Sequence, residues 1–208
     1  NQIGDEGMIA FANAIKPSPG NPMGSLGQLV TLSLRGNQIG DEGIKAFSSA
    51  IASGALGALK ELWLHQNQIG DDGMKAFSDA ITNGSLAKLT WLGLSSNQIS
   101  DAGMISFSEA IASGSLSNLS SLILDDNQMG DAGMIAFAEA LKPTDKLPMG
   151  SLASLKVLYL SRNRIGDEGM TAFCSAIASG SLGSLKTLLI NFPSQALKDA
   201  CSSREIQL

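Results

Sequence analysis

Leucine and polar residues alternate through Leu59-x-x-Leu62-x-Leu64, with Leu62 and Leu64 pointing one way and their polar or aromatic neighbours the other. That period of two predicts a half-buried strand. A few residues on, Met74, Phe77 and Ile81 fall at i, i+3 and i+7, the apolar stripe of a helix. The same switch of period recurs along the chain. It predicts strands near residues 29–35, 59–65, 89–95, 119–125, 155–161 and 185–191, with helices near 5–16, 41–53, 71–83, 101–113, 131–142 and 167–179.

The recurrence is close to verbatim. Asn1, Asn37, Asn67, Asn97, Asn127 and Asn163 stand 36, 30, 30, 30 and 36 residues apart, each opening a near copy of N-Q-I-G-D-E-G-M-x-A-F. A unit repeated at such a period buries its apolar face only against its neighbours, which predicts a solenoid. The asparagines fall at the bend after each strand, where an amide side chain serves backbone groups left unpaired by the turn. Asp5, Asp41, Asp71, Asp101, Asp131 and Asp167 each precede a helix and read as N-caps of that helix.

The phrase L-x-x-L-x-L-x-x-N-x-I resembles the leucine-rich repeat. Its long helical half is similar to the ribonuclease-inhibitor type, found also in Nod-like receptors and the Ran GTPase-activating protein. Units of 30 and 36 residues exceed the usual length of about 20–29. The resemblance covers nearly the whole chain and implies an α/β solenoid: a concave parallel sheet of about six strands backed by convex helices. On this reading residues 1–208 form one domain that enters its first repeat after a lost strand. Pro193 stands where a further asparagine would, and a short helix from Ser194 to about Cys201 covers the last core face, making 192–208 a C-terminal cap.

Charge narrows the partners. A net charge of -5 and a pI near 4.8 argue against nucleic acid and anionic membranes, and favour a protein partner. No run of 18 apolar residues is present, so no membrane span is expected. Two cysteines, Cys174 and Cys201, are too few for a disulfide framework and point to an intracellular or organellar home. Cys174 occupies a position held elsewhere by Ala or Ser and reads as packing.

Catalytic chemistry finds little material. The only histidine, His65, has no ligand spacing to either cysteine and no nucleophile elbow beside it, and reads as a surface histidine in a binding face. Glycines repeated in each unit are turn and packing devices rather than a phosphate loop, and no cofactor is expected. Neither catalytic nor metal-binding residues are expected.

Residues that escape the repeat carry the functional expectation. Trp63, Trp91 and Tyr159, the only tryptophans and tyrosine, all fall at outward strand positions. Aligned strands give one column of Ser33, Trp63, Gly93, Ile123, Tyr159 and Leu189, preceded by Thr31, Glu61, Trp91, Ser121, Val157 and Thr187. A third column, with Arg35, His65 and Asp125, forms a polar edge. An apolar centre with a polar rim is the anatomy of a protein-binding patch. The concave candidates are therefore Trp63, Trp91, Ile123, Tyr159, Glu61, His65, Asp125 and Arg35. The two longer units add proline-stiffened return loops, whose candidates are Pro17, Pro19, Pro22, Met23, Pro143, Leu147, Pro148 and Met149. The expected function is a non-catalytic interaction or scaffold module, binding a transient protein ligand or the subunits of a permanent assembly. The resemblance also implies two alternatives: a regulator of an enzyme, such as a GTPase, or the sensor region of a Nod-like receptor.

Overall fold

The computed structural model describes residues 2–22, 24–191 and 193–208. Within them strands and helices alternate: α1 (Asp5–Ile15), β1 (Thr31–Ser33), α2 (Asp41–Ala52), β2 (Glu61–Trp63), α3 (Asp71–Thr82), β3 (Trp91–Gly93), α4 (Asp101–Ala112), β4 (Ser121–Ile123), α5 (Asp131–Ala140), β5 (Val157–Tyr159), α6 (Asp167–Ala178), β6 (Thr187–Leu189) and α7 (Gln195–Ser202). The strands form one parallel sheet in sequence order, β1 to β6. Each helix from α1 to α6 packs on the next, so helices line one side of the sheet. Helices pack about 8–10 Å apart and strands about 4.8 Å apart, which curves the stack with the sheet inside.

Every expected strand and helix is present. The strands are 3 residues long rather than seven, because only their central residues hold regular ladder geometry. Backbone pairing continues past them: the Leu34 amide donates to the Trp63 carbonyl at 2.8 Å and the Gly36 amide to His65 at 3.0 Å. The leucine, methionine and phenylalanine columns form one continuous core, with Leu62, Leu92, Leu122, Leu158 and Leu188 fully buried beneath the sheet. Cys174 and Cys201 are buried free thiols, as packing residues are.

Asparagine joins each unit to the one before it. The Asn67 amide donates to its own Leu64 carbonyl at 2.9 Å and to Leu34 of the preceding unit at 3.0 Å, while its oxygen accepts from the Ile39 amide at 3.1 Å. Asn97, Asn127 and Asn163 repeat the arrangement. Asn1 lies outside the described residues.

The aspartates depart from expectation. None of α1 to α6 has a side-chain bond at its own N-cap, and Asp5, Asp41, Asp71, Asp101 and Asp131 reach instead into the next unit. Asp5 Oδ1 accepts from the Gly40 amide at 2.7 Å and the Gly43 amide at 2.9 Å. Asp101 does the same for Gly130 and Gly133 at 2.7 and 2.8 Å. A carboxylate at the first position of one helix thus caps the following helix, satisfying its orphan amides and its dipole. This explains the second glycine of the G-D-x-G phrase: a Cβ on Gly133 would stand 2.7 Å from Asp101 Oδ1 and 3.1 Å from Met104 Cβ.

Beyond β6, Ser194 Oγ accepts from the Leu197 amide at 3.2 Å, starting α7 where expected. Leu197 and Cys201 are buried in the contact with α6. The Arg204 guanidinium donates to the carbonyls of Ile177, Ser181 and Leu182 at 2.8, 2.7 and 3.0 Å, and Gln207 pairs beside Thr187 on the edge of β6.

Candidate functional site: the outward face of the sheet

The pairing register places the outward columns as the alternation predicts. Glu61 lies opposite Trp91, Trp63 opposite Gly93, and Ile123 opposite Tyr159, which is opposite Leu189. Trp63 and Trp91 therefore meet on the diagonal. Their rings stack with centroids 4.1 Å apart and planes 20° from parallel, a close, near-parallel contact of the kind by which aromatic pairs add stability beyond their buried area.

Gly93 makes the stack possible. A Cβ there would come within 2.5 Å of Trp91 Cη2 and 2.6 Å of His65 Nδ1, so both rings lean over the bare backbone. His65 is consequently 8% exposed, not the surface histidine expected from its third-column position. It packs at 5.3 Å from the Trp63 ring and edge-on at 5.9 Å from Trp91. Burial, and secondarily the Arg35 charge, lower its pKa from the ordinary 6.5, which favours the neutral ring. The Nδ1 of His65 and the Nε1 of Trp63 are both buried without a hydrogen-bond partner.

The remaining concave candidates form the flanks. Glu61 Oε2 accepts from Thr31 Oγ1 at 3.3 Å, and Arg35 Nε donates to Gln66 Oε1 at 3.0 Å. Ile123 and Tyr159 are half-buried neighbours on the far side of Gly93 from Trp63, and Leu189 is 44% exposed beside them. Asp125 accepts from the Ser161 amide at 2.8 Å across the strands. Burial raises its pKa, opposed by that hydrogen bond. The outward face thus carries a tryptophan–histidine cluster on β2–β3 and an adjoining row of Ile123, Tyr159 and Leu189 on β4–β6.

One row of residues escaped the alternation. Gly36, Gln66, Ser96, Asp126 and Arg162, each just before an asparagine, hold φ between 53° and 64°. Only Gly36 advertises this left-handed conformation in its residue type. Ser96, Asp126 and Arg162 join Asp125 and Asn191 around a polar depression of about 390 Å³ at the strand ends. Ser96 Oγ donates to Asp126 Oδ2 at 3.1 Å, and the Arg162 amide donates to Asn191 Oδ1.

The two long return loops contain the same turn. Ser18 and Asn21 exchange backbone hydrogen bonds of 3.0 and 2.9 Å, and Thr144 and Leu147 exchange the equivalent pair at 3.1 Å. Pro19, Pro22, Pro143 and Pro148 are exposed, as is Met149 at 70%. Pro17 and Leu147 are half-buried instead, Leu147 lying over Gly114, where a Cβ would stand 3.1 Å from its Cδ2. Met23 lies outside the described residues.

Among the described residues no three metal-ligating side chains gather, and no helix is long and apolar enough to cross a membrane. Strand–helix units stacked in sequence, tied by an asparagine ladder over a leucine core, define a parallel α/β repeat solenoid. The chain belongs to the Leucine Rich repeat family, whose pattern matches residues 1–12, 29–48, 59–78, 85–108, 115–138 and 151–174, more than half of its length. No curated protein sequence matches it. Among solved structures, it is similar to the actin-binding site 2 of leiomodin-1, with 12% identity and a TM-score of 0.51 over 95% of this chain and 85% of that one. An internalin, inlF, of Listeria monocytogenes aligns at 24% identity and a TM-score of 0.40, over 80% of this chain and 48% of the other. Internalin C2 of the same organism aligns at 23% and 0.41, over 90% and 76%. Identities this low speak for the fold alone.

Proposed function

We propose that this chain is a non-catalytic protein-interaction module of the ribonuclease-inhibitor type of repeat, engaging a protein partner through the concave sheet. The observation that carries the reading is the Trp63–Trp91 stack: the only two tryptophans of the chain stand together, half-exposed, on the open face of a rigid sheet. Large aromatic side chains held in place lose little entropy when a partner covers them, which is why they dominate binding energies. Ile123, Tyr159 and Leu189 extend the apolar surface, while Glu61, Arg35 and Asp125 supply its polar rim. The exposed prolines and Met149 of the return loops offer a second contact at the edge of the stack. Helix α7 and the strand-edge pairing of Gln207 act as the C-terminal cap of the repeat array. The actin-binding region of leiomodin-1 shares the fold and supports a binding role, without naming the partner here.

The test is capture of partners from a native extract by wild type and by Trp63→Ala/Trp91→Ala, with circular dichroism confirming the fold. Loss of at least about tenfold in captured partner is expected if both residues are hot spots. Equal capture by the two proteins contradicts the concave site.

A further inference from the structure

The outer face of the helices is not uniform. The residue that points outward one turn into each helix is Ile9, Lys45, Lys75, Ile105, Ile135 and Thr171 in α1 to α6, and the residue three before it is Glu6, Glu42, Asp72, Ala102, Ala132 and Glu168. In α2 and α3 this row is charged and internally paired: Lys45 bridges Glu42 at 2.8 Å and Asp72 at 3.5 Å, and Lys75 bridges Asp79 at 3.3 Å. In α4 and α5 both members of the pair are apolar at once. Ile105 and Ile135 are 41% and 36% exposed, although a lysine serves the same position without harm to the core.

Removing the lysines leaves acids behind. Glu109 occupies the place of Asp79, but the residue four before it is now Ile105, and no ion pair forms at Glu109 among the described residues. Exposed Asp167 and Glu168 at the start of α6 are likewise without a cation. These carboxylates border two shallow apolar depressions. One, of about 390 Å³, lies between α4 and α5 and contains Ile105, Ala112, Ala136 and Ala140. The other, of about 480 Å³, lies between α5 and α6 and contains Ile135 and Ala172.

We propose that the outer face of α4–α6 is a second docking surface, which takes a basic amphipathic helix of a partner protein. Charge complementarity selects the occupant: the surface offers apolar depressions and unpaired carboxylates, so the partner supplies the missing lysines or arginines around an apolar stripe. Spacing agrees. Adjacent helices of the stack lie about 10 Å apart, and residues i and i+7 of a crossing helix are about 10.5 Å apart, so one apolar side chain reaches each depression. Glu109 and Glu168 then face the basic flanks of that stripe.

The probe is a labelled synthetic helical peptide of about four turns, with Leu at i, i+3, i+4 and i+7 and Lys elsewhere, beside a twin with Glu in place of Lys. Fluorescence anisotropy against the whole chain should show binding of the Lys peptide only. Two double variants use residues the fold already accepts at this position: Ile105→Lys/Ile135→Lys copies α2 and α3, and the charge-neutral Ile105→Thr/Ile135→Thr copies α6. Each should weaken binding by at least about tenfold. Glu109→Gln/Glu168→Gln should lessen its salt dependence. Undiminished binding to the threonine variant, equal binding of the Glu twin, or no binding of the Lys peptide overturns the proposal. So does concentration-dependent dimerisation that the threonine variant abolishes, which would make a second copy the occupant. Trp63→Ala/Trp91→Ala should leave peptide binding unchanged, so this surface and the concave one stand or fall separately.

Discussion

Gly93 governs the aromatic site without contributing a side chain. Its bare Cα admits Trp91 and His65, and any Cβ there meets both rings at 2.5–2.6 Å. Gly93→Ala should therefore displace the indole and imidazole at a cost of about 1–3 kcal/mol. Both tryptophans of the chain are in this cluster, so emission reads the site directly: a red shift is expected, and an unshifted spectrum with unchanged stability would contradict the packing. His65 gives the cluster a pH dependence. Its folded pKa lies below the ordinary 6.5, so the unfolded chain binds the proton more readily. Stability should be undiminished above about pH 6.5 and fall as the pH drops from there through the lowered folded value. Because it is the only histidine, denaturant midpoints of wild type and His65→Phe between about pH 7 and 5 isolate its contribution. The wild type should lose more stability than the variant across that interval; parallel curves would show that the ring titrates freely.

At the scale of the element, the starts of α2 to α6 depend on the unit before them. Asp101 holds the amides of Gly130 and Gly133, at the start of α5, rather than those of its own helix. Asp101→Ala should cost about 1–2 kcal/mol and speed hydrogen exchange at those two amides while leaving the start of α4 protected. Faster exchange at the start of α4 alone would restore the conventional capping role. This difference marks the boundary of what the residue pattern conveys. Periodicity identified the six strands and α1 to α6 because burial on one face is a property of spacing within the unit. It also placed Trp63, Trp91, Ile123 and Tyr159 on the outward face. The destination of the Asp101 carboxylate, the burial of His65 and the left-handed row at Gln66, Ser96, Asp126 and Arg162 depend on what the neighbouring unit places alongside, a full repeat away in sequence. The missing side chain of Gly93 was visible as a gap in its column, yet which rings would fill that gap depended on side-chain direction rather than position.

For the whole molecule, the same ladder that stacks the units also makes a rigid surface. Asn37, Asn67, Asn97, Asn127 and Asn163, with Asp5, Asp41, Asp71, Asp101 and Asp131, bond across unit boundaries, so neighbouring strands hold the outward columns in fixed register. The surfaces we propose for binding are departures from the repeat: aromatic residues on the sheet, apolar residues on α4 and α5, and two turns built alike in the longer loops. Nearest-neighbour coupling confines most substitutions to local effects, which allows the concave and outer faces to be tested independently. The central claim is that the tryptophan stack is covered when the partner binds. Hydroxyl-radical footprinting of the chain, alone and saturated with its captured partner, measures this with the two tryptophans and Tyr159 read by mass spectrometry. The account predicts that Trp63 and Trp91 lose most of their reactivity on binding, with Tyr159 following. Unchanged labelling of both tryptophans in the saturated complex would contradict it.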